Sequence, residues 1–152
     1  MERARLAGMA SISGPVCDTH GTVLGEHNGV MFYTVGQRQG LGIAYKHALY
    51  VKEIIPKTNT IVVGRKEDVY ASTCEASALH LLSMKSLPKK LEVEAKIRYN
   101  HPLAKAEVYP LKNKRIRVVF FQPQWAITPG QSLVMYKSNS VIGGATIERA
   151  LG

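Results

Sequence analysis

Apolar and polar positions alternate along this chain in short runs, and the period of two is clearest in its second half. In "LEVEAKIRY" the residues Leu91, Val93, Ala95, Ile97 and Tyr99 alternate with Glu92, Glu94, Lys96 and Arg98. Such a run puts an apolar face on a core and a charged face in water. Taken by itself, Tyr99 reads as the last inward residue of this strand. "AKAEVYP" repeats the pattern with Ala104, Ala106 and Val108, and "KRIRVVFF" with Ile116, Val118 and Phe120 opposite Arg115 and Arg117. "SLVMYK" and "SVIGGATIE" complete the series around the turn Ser138-Asn139-Ser140. Short antiparallel strands at this spacing predict a small closed barrel.

The first half is punctuated more heavily by glycine and proline. "DTHG" (Asp18 to Gly21) predicts a hairpin turn between "GPVC" and "TVLG". "GVMFYTV" reads as a strand that feeds the glycine-rich stretch "YTVGQRQGLGI". "ALYVKEI" and "TIVVG" flank "IPKTN", where Pro56 and Asn59 suit a tight turn. "STCEASALHLL" is compatible with a short helix or with a strand entering the next unit. Long helical periodicity is absent. The expected fold class is therefore mainly all-β: a tail over 1–13, a small central β domain over 14–70, and a six-stranded antiparallel β-barrel over 71–152.

Composition narrows the class. Of the 152 residues 45% are hydrophobic, enough for a folded core, while the apolar runs are far too short for a bilayer-spanning segment. The opening "MERARLAGMASISG" carries two arginines, but also Glu2 and no long apolar stretch, so a frayed start is favoured over a transit peptide. The expected location is cytoplasmic, with no membrane partner. Cys17 and Cys74 form no CxxC pair, which removes support for a zinc or redox motif and makes reduced thiols the default. Charge adds the strongest global signal: 20 Lys and Arg stand against 11 Asp and Glu, a net charge of +9. Between Lys85 and Arg117 ten residues are basic and three acidic. A basic half of this kind attracts polyanions, although a merely solvated face explains the composition equally well.

The glycine-rich stretch invites comparison with phosphate-binding loops and fails it. Gly36-Gln37-Arg38-Gln39-Gly40 lacks the spacing and the Lys-Ser/Thr of a P-loop, and no βαβ unit surrounds it. Its glycines read as positions of positive φ in a chain reversal that displays Gln37, Arg38 and Gln39. No acid–base pair, nucleophile or metal-type spacing emerges, and a lone His27 at a turn edge reads as a surface residue; catalytic and metal residues are assigned to none. Arg98-Tyr99 pairs a guanidinium with an aromatic face of the kind that stacks a base. "AITPGQ" is a proline-glycine turn with Gln131 at its tip, which also reads as an ordinary hairpin turn.

Taken in order, "GTVLGEHNGVMFYTVGQRQGLGI", "LYV…NTIVVG", "KIRYNHP" and "AITPGQSLVMY…IGGATIE" resemble the C-terminal half of bacterial tRNA-specific 2-thiouridylases, from about Gly14 to Glu148. The resemblance implies an enzyme in three parts, with an N-terminal ATP-pyrophosphatase domain that adenylates the wobble uridine of certain tRNAs and replaces its 2-oxygen with sulfur carried as a cysteine persulfide. The ATP loop and catalytic cysteines of that domain have no counterpart here. ATP and Mg are thus implied for the full-length enzyme and no cofactor for this chain, which alone is expected to be inactive. The implied partners are tRNA, the ATP-pyrophosphatase domain in cis or in trans, and a sulfur-donor protein. The resemblance also implies that Arg98, Tyr99 and Gln131 touch tRNA, with Gln37 and Arg38 as RNA or interdomain contacts. Asn100-His101 departs from the family's usual Arg-Gln, and Ala145 stands where a third glycine is common. Two other readings remain open: a stand-alone, non-enzymatic RNA-binding β module, and a barrel used for protein contact.

Overall fold

The computed structural model describes residues 12–151, and the transit-peptide question therefore lies outside the described residues. The chain divides into two compact units, one ending at Val69 and the other beginning at Tyr70.

In the first unit, β1 (Gly14–Cys17), β2 (Val23–His27), β3 (Tyr50–Ile55) and β4 (Thr60–Gly64) form one sheet in the order β2-β1-β4-β3. The expected hairpins are present. β1 and β2 pair antiparallel across a turn closed by Gly21 N–H on the Asp18 carbonyl at 3.1 Å. β3 and β4 pair antiparallel across Pro56–Thr58, with Asn59 in the left-handed region at φ 52°. Between them lies a parallel β1–β4 contact, which the hairpin pattern did not announce. Val16, Val51, Ile61 and Val63 form the core.

"GVMFYTV" is not a strand. Val30–Phe32 form one 3-10 turn, and Met31 and Phe32 stay exposed while Val30 and Tyr33 pack on the core. Residues 33–49 hold no strand, because Val30 and Tyr33 meet the core as anchors of a loop rather than as one face of a pleat.

His27 also departs from expectation. It is fully buried, its Nε2 2.7 Å from the Asn59 carbonyl and its Nδ1 accepting from Gly29 N–H at 3.0 Å. Because a carbonyl only accepts, Nε2 carries the proton and the ring is a neutral structural tie. Asn59 Nδ2 adds bonds to the Ile12 and Ser13 carbonyls at 3.0 and 3.1 Å.

The second unit is a closed barrel of six antiparallel strands, as the alternation predicts. Its members are β5 (Tyr70–Leu81), β6 (Leu91–Lys96), β7 (Ala104–Pro110), β8 (Ile116–Trp125), β9 (Ser132–Lys137) and β10 (Ser140–Leu151), in the closed order β10-β5-β8-β7-β6-β9. "STCEASALHLL" lies largely within β5, so its ambiguity resolves to strand: inward Cys74 and Ala76 are buried in the barrel core. Ile97, Ile116, Val118, Leu133, Met135 and Ile147 fill the interior. β10 and β5 approach closely where Gly143 opposes Leu81; a Cβ at Gly143 would stand 2.3 Å from the His80 carbonyl oxygen. Residues 97–103 and 126–131 connect strands at one end of the barrel. The loops 82–90 and 111–115 lie at the other.

Candidate nucleic-acid interface

The inward alternation of β6 ends at Ile97, which is 2% exposed. The chain then turns, with His101 N–H on the Arg98 carbonyl at 3.2 Å. The turn swings Tyr99 out of the strand's register and into solvent, where it is 90% exposed. The inward placement suggested by periodicity is thus wrong for Tyr99, because the strand stops before reaching it. Lys96 Nζ lies 5.9 Å from the Tyr99 ring centroid, in cation–π range. An exposed aromatic face beside a cation suits a nucleobase with its phosphate.

Arg98 turns the other way. Its Nη2 donates to the carbonyls of Trp125 and Ala126 at 2.6 and 2.5 Å, and its Nε is buried without a hydrogen-bond partner. The guanidinium therefore latches the turn that bears Tyr99 onto the start of the 126–131 loop. His101 adds a second stitch, with Nε2 3.1 Å from Gln124 Oε1. Burial, followed by the charges of Arg98 and Lys96, holds His101 below the ordinary imidazole pKa and favours its neutral form.

The 126–131 loop is fixed from its far side as well. Gly130 N–H donates to the Ile147 carbonyl at 2.8 Å, and Ile147 N–H returns a bond to the Gln131 carbonyl at 2.9 Å. Thr128 Oγ1 donates to the Ala126 carbonyl at 2.7 Å, and Gly130 turns at φ 89°. Gln131 is left exposed at the tip of a loop whose backbone is bonded on both sides. Arg98, Tyr99 and Gln131 are thereby gathered at one barrel end. Sequence reasoning missed Lys96, His101 and Gln124, since only the turn geometry shows that they adjoin Tyr99 and the latch. It also treated the basic window as one feature. Lys96 and Arg98 lie at the Tyr99 end, whereas Lys85, Lys89, Lys112 and Lys114 fall in the loops of the opposite end.

In the first unit, Gly36 N–H donates to the Val51 carbonyl at 2.7 Å, and Gln37 returns its carbonyl to Val51 N–H at 2.9 Å. Gln37 Oε1 accepts from Thr34 N–H at 3.0 Å and its Nε2 donates to the Gln39 carbonyl at 2.8 Å. The Gln37 amide thus builds the loop it sits in, while Arg38 is exposed. Gly36, Gly40 and Gly42 have φ of 92°, 77° and 67°, the role expected of them. The N–H groups of Gly36 and Gln37 are bonded to the Val51 and Thr34 carbonyls and so are not free for a phosphate.

Both cysteines are buried, and burial pushes the Cys74 thiol up to about 12. Among the described residues no cluster of three or more His, Cys, Asp or Glu is arranged for a metal ion, and no helix is long and apolar enough to cross a membrane.

Residues 7–65 match the family described as tRNA methyl transferase PRC-barrel domain, and residues 71–147 the family described as Aminomethyltransferase beta-barrel domain. The chain is 47% identical over 136 residues to the tRNA-specific 2-thiouridylase MnmA of Clostridium botulinum strain Alaska E43, an alignment covering 90% of this chain and 38% of that protein. This chain belongs to the tRNA-specific 2-thiouridylase family. The enzymes of the same name from Clostridium perfringens and Pelotomaculum thermopropionicum are each 45% identical, over 91% and 96% of this chain and 38% and 40% of their own lengths. The chain thus spans about two fifths of the length of these 2-thiouridylase relatives.

Proposed function

We propose that this chain is the tRNA-gripping portion of a 2-thiouridylase, orienting tRNA for ATP-dependent 2-thiolation of the wobble uridine by an ATP-pyrophosphatase domain outside it. The observation that carries the reading is the barrel end where Tyr99 stands 90% exposed beside Lys96, latched by Arg98 to the loop that presents Gln131. In this reading Tyr99 stacks a base, Gln131 offers an amide to RNA, and Arg98 both borders the RNA and positions the two. ATP, Mg and the sulfur-donor protein belong to the absent domain, and the setting is the cytoplasm. Gln37 and Arg38 are secondary candidates for RNA or interdomain contact, with Arg38 the better placed of the two.

Stacking on an aromatic side chain is worth about 1–3 kcal/mol per base. Tyr99→Ala should therefore weaken tRNA binding by roughly five- to 150-fold at fixed salt, measured by fluorescence anisotropy. Equal affinity of the variant and the parent chain would remove Tyr99 from the interface. A thiolation assay separates this reading from a stand-alone RNA-binding module: adding the ATP-pyrophosphatase domain in trans restores activity only under the first.

A further inference from the structure

The outer wall of the barrel carries a charge cluster that the Tyr99 end does not use. Glu75 points outward from β5, yet its side chain is only 4% exposed because three arginines cover it. Arg149 on β10 donates Nε to Glu75 Oε1 at 2.7 Å and adds a second bond through Nη2. Arg117 on β8 reaches Glu75 Oε2 at 3.4 Å, and Arg115 Nη2 lies 3.9 Å from Oε1 while bonding Glu148 at 2.9 Å. Three guanidinium groups thus share two carboxylates.

The arrangement does more than tie β5 to its neighbours β10 and β8. The side chains of Arg117 and Arg149 remain 48% and 61% exposed while bonded to Glu75. Each guanidinium has five N–H donors and spends only one or two on Glu75, so donors remain for a further partner. Anchoring on one carboxylate fixes both forks in advance, which lowers the entropy cost of taking up a further anion. Arg149, Glu75 and Arg117 stand side by side on adjacent strands, so the two arginine backbones lie about 10 Å apart across the wall.

Ile147, two residues before Arg149, is the residue whose backbone pairs with Gly130 and Gln131. Arg149 therefore stands close to the Gln131 loop, and the pair with Glu75 carries the row across the wall to Arg117, at the start of β8 beside the 111–115 loop. We infer that the outer face of β10-β5-β8 is a second RNA contact, in which Arg117 and Arg149, held by Glu75, bind the phosphodiester backbone of the tRNA whose base stacks at the Tyr99 end. The inference rests on the RNA-gripping reading of the barrel. It adds a sequence-independent phosphate track that crosses the wall from Arg149, near the Gln131 loop, to Arg117 at the start of β8.

The test is a salt titration of tRNA binding by the whole chain, with Arg117→Gln, Arg117→Lys, Arg149→Gln and Tyr99→Ala beside the parent. Arg117→Gln leaves the Arg149–Glu75 pair in place, and thermal melting checks its fold. One phosphate contact contributes about one unit to the slope of log affinity against log salt. Arg117→Gln should flatten the slope by about one unit and lower affinity roughly tenfold at 0.1 M salt. Arg117→Lys should restore the slope, and Arg149→Gln should flatten it as Arg117→Gln does. An unchanged slope in both glutamine variants overturns the phosphate track, including the case where affinity falls through lost stability or where the wall docks protein instead. If Tyr99→Ala still weakens binding in that event, the RNA-gripping reading survives alone. A parent chain that binds no tRNA at low salt overturns both.

Discussion

Arg98→Ala separates the latch from a plain phosphate contact. The variant deletes two hydrogen bonds from a charged donor, to the carbonyls of Trp125 and Ala126 at 2.6 and 2.5 Å. Each such bond contributes about 1.5–3 kcal/mol. The Ala126 carbonyl retains Thr128 Oγ1 at 2.7 Å, so its loss falls at the low end. Removing the buried, partnerless Nε returns about 1 kcal/mol. The net expectation is a destabilisation of about 2 kcal/mol, or roughly 8–16 °C in melting temperature for a unit of this size. The chain's single tryptophan, Trp125, sits on the strand that Arg98 latches, so its fluorescence follows the barrel itself. Arg98→Lys, a point donor able to serve one carbonyl at a time, should recover about half of the loss. A melting temperature lowered by less than about 3 °C in Arg98→Ala would refute the latch.

Acid should unfold the barrel in two stages. His101 is held below its ordinary 6.5, so the unfolded chain takes up its proton first and stability declines gently as pH falls below that value. Glu75, Glu107 and Glu148 are held below 4.5, chiefly by hydrogen bonds from Arg149, Tyr109 and Arg115 in turn. Their contribution is complete above 4.5 and drains away as pH falls through the depressed values, so Trp125 melting should drop steeply there; a flat profile down to about pH 3 would contradict these pairings. Cys74, raised to about 12 by burial, should resist a thiol reagent at neutral pH until denaturant is added, and rapid labelling of the native chain at this residue would show the β5 packing to be wrong.

The barrel was legible because its strands are amphipathic in the simplest way. Val93, Ala95, Ala106, Val108, Ile116 and Val118 all fall inward as their spacing requires. Legibility failed where tertiary contacts override local preference. "GVMFYTV" has the residues of a strand, yet Val30–Phe32 form a 3-10 turn that exposes Phe32 while Val30 and Tyr33 pack on the core. Tyr99 obeys the alternation in sequence and leaves it in space, because the chain turns immediately after Ile97. His27 looked superficial because nothing near it in sequence announces Asn59, 32 residues away, as its partner. At the candidate site, the residue types at Arg98, Tyr99 and Gln131 could be read from the sequence, but that Arg98 latches the turn while Tyr99 stays exposed needed coordinates. The outer arginine cluster joins positions 74 residues apart, and no periodicity reports such a contact.

The central claim is that tRNA meets the barrel at its Tyr99 end. Hydrogen exchange of the chain with and without tRNA at low salt tests it most directly, because the two barrel ends fall in separate peptides. Slowed exchange should appear in residues 97–103 and 126–131 on adding tRNA. Protection confined to residues 82–90 and 111–115, where Lys85, Lys89, Lys112 and Lys114 lie, would place the RNA at the opposite end and contradict it.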